Sequence, residues 1–176
     1  MRYFLGLDLD PTIKLEIDHW RSKALPKFQC PTSVSNFHIT LVFLGDVDDL
    51  ILEQLSKLIS TIKAVPFSLT LNQLGFWSKP RILFLGAEDV DKKMHHLVSQ
   101  LTHVANQCNL HIPKRPYIPH VTLSRKMTSN PAAAIIQPSF QCHFDQIHLY
   151  ESVSSYSGVQ YLIRDSWSLQ SEKYCK

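Results

Sequence analysis

Two distant strings of the chain, His38–Leu41 and His120–Leu123, combine the same residue types that could do chemistry. Both read His-x-Thr-Leu, with an aliphatic residue at x. Histidine titrates near neutral pH, so two imidazoles can serve as one neutral base and one protonated acid. Each threonine hydroxyl can donate a hydrogen bond to an oxygen atom of a bound anion. Because in-line attack on phosphorus needs a base on one side and an acid on the other, the pair predicts phosphodiester cleavage.

Both strings lie in runs of sequence that are typical of β-strands. β-Branched and aromatic residues surround them, Gly45 closes the first run, and Pro119 precedes the second. Side chains alternate along a strand, so His38 and Thr40 share one face, about 6.5–7 Å apart, and the second string repeats this arrangement. Each strand therefore has one apolar face and one face with an imidazole and a hydroxyl, which indicates a single site built across a pseudo-twofold.

Arg125 is the cation nearest to the second string and could complete a clamp on a phosphate oxyanion. Strict alternation, however, puts Arg125 on the apolar face with Val121 and Leu123. Arg125 reaches the site only if the strand ends or bulges near Ser124.

Other interpretations of these residues stay open on the sequence alone. Tyr117 and the Phe76–Trp77 pair could stack a nucleobase, although aromatic residues beside strands more often belong to the core. A lone histidine in a strand is usually structural, but two copies of the full string favour a functional role. The two histidines could instead bind a metal, yet no carboxylate stands at a helpful spacing in either strand, so no metal is expected.

The rest of the chain predicts the elements that would position the two strings. Apolar residues at helical spacing indicate helices over about 11–25, 49–63 and 94–108. Strand-like runs indicate further strands at 2–9, 67–74 and 82–86. The last two runs, 141–151 and 159–169, indicate a hairpin. The order β-α-β-α-β-β-α-β-β-β lacks strict βαβ alternation, so we expect an α+β fold with mostly antiparallel or mixed sheets. Without any flexible linker, residues 1–176 are expected to form a single domain made of two lobes.

The composition is that of an ordinary globular protein, with 44% hydrophobic and 19% charged residues. No apolar run is long enough to span a membrane and no signal-peptide pattern is present, so we expect a cytoplasmic location. Cys30, Cys108, Cys142 and Cys175 show no CxxC pairing and are expected to be reduced thiols. A net charge of +3 permits a polyanionic ligand without demanding one.

The two His-x-Thr strings resemble the signature of the two-histidine (2H) phosphoesterase superfamily. Their flanks resemble its bacterial and archaeal branch, the RNA 2′,3′-cyclic phosphodiesterases, also called 2′-5′ RNA ligases. The similarity spans nearly the whole chain and includes 2–4, 36–45, 75–76, 80–86, 115–125, 151–152, Gly158 and Tyr161. One departure is Phe84, where many relatives are expected to carry tryptophan, and it affects only the size of a core side chain.

The resemblance implies a bilobal, pseudo-twofold α+β fold with mostly antiparallel sheets lining a central cleft, helices outside, and no cofactor. It also implies that an RNA 3′ end with a 2′,3′-cyclic phosphate lies between His38, the proton donor, and His120, the proton acceptor, and is opened to a 2′-phosphomonoester. The reverse 2′-5′ ligation is expected to be weak, and the protein is expected to be a monomer. Together with the residue-level interpretation, the residues expected to hold the substrate are Thr40, Thr122, Arg125, Tyr117 and Phe76.

Two alternatives remain. The substrate could be a small cyclic nucleotide or an ADP-ribose cyclic phosphate rather than RNA. The chain could also be an RNA- or nucleotide-binding module that uses the cleft without turnover.

Overall fold

Aspartate side chains begin all three α-helices of the computed structural model, which describes residues 1–155 and 158–170. Asp10, Asp48 and Asp91 each accept a hydrogen bond from a backbone N–H in the first turn of the helix that follows. The helices are α1 (Pro11–Ala24), α2 (Asp49–Ile59) and α3 (Lys92–Gln107), and a 3₁₀ turn spans Val34–Asn36. The predicted helices are therefore confirmed, with ends a few residues earlier for α2.

Within the described residues, nine strands form three antiparallel sheets. They are β1 (Arg2–Asp8), β2 (His38–Asp46), β3 (Phe67–Leu71), β4 (Gln73–Trp77), β5 (Ile82–Gly86), β6 (His120–Ser124), β7 (Phe140–Phe144), β8 (Gln146–Ser155) and β9 (Gly158–Ser168). The four-stranded sheet has the order β2-β1-β8-β9, the three-stranded sheet the order β4-β5-β6, and β3 pairs with β7. The expected α+β class with mostly antiparallel sheets is confirmed.

Two strand predictions need correction. The strand expected at 67–74 is two strands, because Asn72 leaves the ladder: its backbone N–H donates to the carbonyl of Gly86 at 2.9 Å, and its side-chain oxygen accepts from the N–H of Glu88 at 2.9 Å. The chain thereby passes from the two-stranded sheet to the three-stranded sheet. The strand expected at 141–151 is likewise divided into β7 and β8, and only β8 forms the expected hairpin with β9.

One contiguous hydrophobic core joins the inner faces of these sheets and the helices. It includes residues from β1, β2, β3, β5, β6, β7 and β8, together with the buried sides of the three helices. Cys108 and Cys142 are buried free thiols within it, Cys30 is a half-buried free thiol, and Cys175 lies outside the described residues. Among the described residues, no helix is long and apolar enough to cross a membrane. The strands β2 and β6, which carry the two His-x-Thr strings, belong to different sheets and contact each other directly.

Candidate active site

The two histidines occupy equivalent positions, since each is the first residue of its strand. His38 begins β2 and His120 begins β6. The hydroxyl of Tyr117, just before β6, donates a hydrogen bond of 3.1 Å to the backbone carbonyl of Thr40 in β2. This bond joins the two motif strands beside the histidines.

The same backbone hydrogen bond fixes the tautomer of both rings. Nδ1 of His38 lies 2.6 Å from the carbonyl of Asn36, and Nδ1 of His120 lies 2.8 Å from the carbonyl of Ile118. A carbonyl oxygen can only accept, so Nδ1 carries the proton in both rings and donates it. In its neutral form each imidazole therefore has its lone pair on Nε2, the atom that would exchange a proton with a ligand.

The first threonine contacts this reactive nitrogen. Oγ1 of Thr40 is 3.1 Å from Nε2 of His38, so its hydroxyl donates to the neutral ring. Thr40 is buried and Thr122 is half-buried. In the described part of the chain, no group hydrogen-bonds Nε2 of His120. The two strings thus match in backbone geometry but differ in the partner of Nε2.

His38 lies among three aromatic rings that sequence reasoning did not assign to the site. Its ring centroid is 4.8 Å from that of Phe4, 4.8 Å from that of Tyr161 and 5.5 Å from that of Tyr150. This burial is the main reason that the pKa of His38 falls from 6.5 to about 4; the hydrogen bond to Asn36 opposes the decrease.

His120 has a separate aromatic wall. The centroid of Trp77 is 4.6 Å from that of His120 in an edge-to-face arrangement, and that of Phe84 is 5.6 Å away. Burial, followed by the positive charge of Arg125, lowers the pKa of His120, while the hydrogen bond to Ile118 opposes this. The charges of His120 and Arg125 also lower the pKa of His38, so the two imidazoles and the guanidinium share one electrostatic environment.

A β-bulge explains how Arg125 reaches this environment despite its sequence position. In the β5–β6 register Leu83 pairs with Ser124 and Phe84 with Thr122, so Leu123 is the extra residue. Leu123 and Ser124 are consequently both fully buried, and the strand ends there, with Arg125 exposed. The condition identified from the sequence, an end or a bulge near Ser124, is met.

The segment 30–32 fixes this bulge from the other side of β6. The backbone N–H groups of Thr32 and Arg125 donate to the carbonyls of Leu123 and Cys30 at 3.0 and 3.1 Å, and the hydroxyl of Ser124 also donates to the Cys30 carbonyl at 2.9 Å. The exit direction of the chain at Arg125 is therefore set by a loop about 90 residues upstream, which no local pattern could indicate.

The three aromatic residues that the sequence offered as candidates lie in different surroundings. Tyr117 is half-buried with its hydroxyl against Thr40, and burial raises the pKa of that hydroxyl. Phe76 packs against the hydrophobic core, whereas its neighbour Trp77, on the opposite face of β4, contacts the ring of His120. The aromatic signal at 76–77 was visible in the sequence, but the choice between its two members was not.

Two other histidines lie at the edge of this arrangement: the ring centroid of His95 is 6.1 Å from that of Tyr117, and that of His148 is 6.0 Å from that of Tyr150. His95, His96 and His103 are exposed on α3, as the sequence predicts. Within residues 1–155 and 158–170, no group of three or more histidine, cysteine, aspartate or glutamate side chains is arranged to hold a metal ion.

Comparisons with known proteins agree with this geometry. The family model of the 2′-5′ RNA ligase superfamily matches residues 9–155. The RNA 2′,3′-cyclic phosphodiesterase of Escherichia coli K12 is 30% identical to this chain over 171 residues, and the alignment covers 96% of both chains. The RNA 2′,3′-cyclic phosphodiesterase of Thermotoga maritima is 26% identical over 175 residues, and the alignment covers 93% of this chain and 92% of the relative. The crystal structure of E. coli LigT complexed with 3′-AMP superposes with a TM-score of 0.89 at 31% identity, over 97% of this chain and 98% of that one. The chain therefore belongs to the 2′-5′ RNA ligase superfamily.

Proposed function

We propose that this protein is a phosphoric diester hydrolase that opens 2′,3′-cyclic phosphate ends of RNA to 2′-phosphomonoesters. The observation that carries the proposal is the pair of imidazoles on touching strands, each with Nδ1 fixed by a carbonyl so that Nε2 is the atom that exchanges a proton, in one electrostatic environment with Arg125. The two relatives described above, both named RNA 2′,3′-cyclic phosphodiesterase, align with nearly the whole chain, and this supports the proposed chemistry.

In the proposed reaction His120 is the proton acceptor and His38 the proton donor. Nε2 of His120 takes a proton from water as the water oxygen bonds to phosphorus. The bond between phosphorus and the ribose 3′ oxygen breaks, and the proton on Nε2 of His38 passes to that oxygen. The cyclic diester thus becomes a 2′-monoester, and the two rings exchange protonation states.

Three side chains would hold the non-bridging phosphate oxygens during this displacement. The hydroxyls of Thr40 and Thr122 donate hydrogen bonds, and Arg125 supplies the positive charge that stabilises the developing dianion. The negative charge of the bound diester also raises the pKa of a nearby imidazole, so substrate binding favours the protonated form that His38 needs as a donor.

The aromatic groups take different parts in this proposal. Trp77 forms the wall beside His120 and is the better candidate to contact a nucleobase, because Phe76 packs against the core. Tyr117 acts through Thr40, whose strand it holds against β6.

Several further features belong to the same proposal. The two contacting sheets form two lobes of a single domain, the enzyme is a monomer, and catalysis requires no metal because two imidazoles supply both proton transfers. Reverse 2′-5′ ligation is weak because water is the more abundant nucleophile. Free thiols at Cys30, Cys108 and Cys142 fit a reducing, cytoplasmic compartment.

The decisive experiment is incubation with an oligoribonucleotide that ends in a 2′,3′-cyclic phosphate, with the product identified by ³¹P NMR as the 2′- or 3′-monoester. We expect the 2′-monoester from the wild-type protein. His38→Ala and His120→Ala should each lower kcat by about 10²–10⁴-fold. His96→Ala, on the exposed face of α3, is the matched control and should retain full activity.

Parallel reactions with a nucleoside 2′,3′-cyclic phosphate and with ADP-ribose cyclic phosphate test the alternative substrates. Faster turnover of either small substrate than of the oligonucleotide would contradict the assignment of RNA. Tight binding of the RNA without hydrolysis would show a binding module instead.

A further inference from the structure

Asp8 lies directly across the sheet from His38. It is the last residue of β1, and the antiparallel β1–β2 register makes Asp8 and His38 cross-strand partners. Directly opposed residues of two antiparallel strands project to the same face, so the carboxylate and the imidazole lie on the same side of the sheet. The cleft face of β1 also carries Phe4, whose ring contacts that of His38.

Lys14 holds the Asp8 carboxylate in place. Nζ of Lys14, on the first turns of α1, donates to Oδ1 of Asp8 at 2.6 Å. The lysine side chain is only 14% exposed and the aspartate side chain 32% exposed, so this ion pair is more restrained than an ordinary surface pair. The orientation of Asp8 is therefore determined by α1, and its negative charge stays beside the cleft.

Asp8 raises the pKa of His38, in the same direction as the larger effect of the hydrogen bond to the Asn36 carbonyl, and so opposes burial and the nearby positive charges. Packing of the Phe4, Tyr150 and Tyr161 rings removes water from His38 and disfavours the charged imidazole. The positive charges of His120 and Arg125, on and after β6, act in the same direction. Among the charged side chains of the described residues that act on His38, Asp8 is the one that favours the imidazolium, and its negative charge also acts on Tyr150 and His148 of β8.

We infer that Asp8 is a positioning residue for catalysis: its carboxylate, oriented by Lys14, stabilises the protonated imidazole of His38 that donates a proton to the leaving ribose oxygen. The inference rests on the proposed function, because only a proton donor at His38 needs this stabilisation. With this inference, the site gains Asp8 from β1 and Lys14 from α1, in addition to the residues of the two His-x-Thr strands.

Asp8→Asn tests the charge while keeping the size of the side chain and an oxygen that can accept from Lys14. Loss of this negative charge should lower the pKa of His38 by a fraction of a unit, so the fraction of His38 that is protonated at pH 4 should fall from about a half to about a third. The measurement is the His38 ring Cε1–Hε1 resonance in an NMR titration. In kinetics on the cyclic-phosphate oligonucleotide, the upper limb of the kcat profile should move to lower pH by the same fraction of a unit, which lowers kcat about twofold at pH 8.

Two further variants keep the inference falsifiable. Asp8→Glu restores the charge and should return the profile towards that of the wild type. Lys14→Gln removes the cation that partly neutralises Asp8, so the pKa of His38 should move upwards, opposite in sign to the effect of Asp8→Asn. Glu53→Gln, an exposed carboxylate on α2, is the control for the loss of one negative charge and should leave both measurements unchanged.

The outcomes are separable. A uniform loss of kcat at every pH, with an unmoved His38 resonance, would show that Asp8 is merely structural and would overturn the inference. Movement of the lower limb instead of the upper limb would also overturn it, because His38 would then be the base. If the wild-type protein hydrolyses no cyclic phosphate while Asp8→Asn still shifts the His38 titration, the proposed function fails and the electrostatic coupling stands.

Discussion

Burial of an unprotonated histidine should make the stability of this protein depend on pH, and His38 allows the size of the effect to be calculated. Its pKa is about 4 in the folded protein and 6.5 when the ring is free in water. A group whose folded pKa is lowered binds fewer protons in the native state, so falling pH favours unfolding. The destabilisation caused by His38 is absent above about pH 7 and reaches its full size below the folded pKa.

The expected loss follows from linkage between the two pKa values. It is about 2 kcal/mol at pH 5 and about 3 kcal/mol at pH 4, relative to pH 7. This is a large fraction of the 5–15 kcal/mol by which domains are typically stable. The window from pH 6.5 to 4 is set by the shift of His38 itself.

His38→Asn isolates this contribution, because an asparagine amide can still donate to the Asn36 carbonyl but does not titrate. Urea unfolding of both proteins at pH 7, 6, 5 and 4 gives the free energy of unfolding at each pH. Between pH 7 and pH 4, the free energy of unfolding of the wild type should fall by about 3 kcal/mol more than that of the variant. Since His120 and His148 are present in both proteins, their titration largely cancels. Parallel curves would refute the claim that His38 is held neutral by burial.

Three other perturbations have defined outcomes. Overnight dialysis against excess EDTA should leave the initial rate unchanged; loss of activity that zinc or manganese restores would contradict a metal-independent mechanism. Gly75→Ala would drive a Cβ into the Phe84 ring and should lower the free energy of unfolding by about 1–3 kcal/mol in urea titrations. It should also slow turnover, since Phe84 contacts His120. Unchanged stability would show that the ring can move aside. Arg164→Met leaves the Glu151 carboxylate, 2% exposed, without its cation; because the Arg164 side chain is itself 52% exposed, the expected loss is about 1–3 kcal/mol by the same assay. The double variant with Glu151→Gln should recover part of that loss.

The sequence was sufficient for the parts of the fold that depend on local patterns. The spacing of His38 and Thr40, and of the second pair, implied strands with an imidazole face, and both strands begin at the histidines. The helical spacing of apolar residues indicated the three helices. These features are readable because each is determined within one element.

What the sequence could not provide depends on contacts between distant segments. Asn72 reads as part of an alternating strand, and only its bond to Gly86 shows that the chain changes sheets there. The bulge that directs Arg125 depends on the loop at Cys30, and the enclosure of His38 depends on rings from β1, β8 and β9. Choosing Trp77 over Phe76 required knowledge of which face of β4 meets the core.

The near-identity of the two strings explains why both histidines present Nε2, and it also raises the question of how one ring becomes the acid and the other the base. Identical strands would give identical proton affinities, and a reaction that removes one proton and adds another needs a difference between them. That difference arises outside the motifs. His38 is surrounded by three rings and lies opposite Asp8, whereas His120 stands against Trp77 and Phe84, and Arg125 is the charge that acts on it among the residues that the structure describes. The motif strands therefore supply equivalent geometry, and the strands behind them give the two imidazoles different surroundings, on which the proposed division into proton donor and proton acceptor depends.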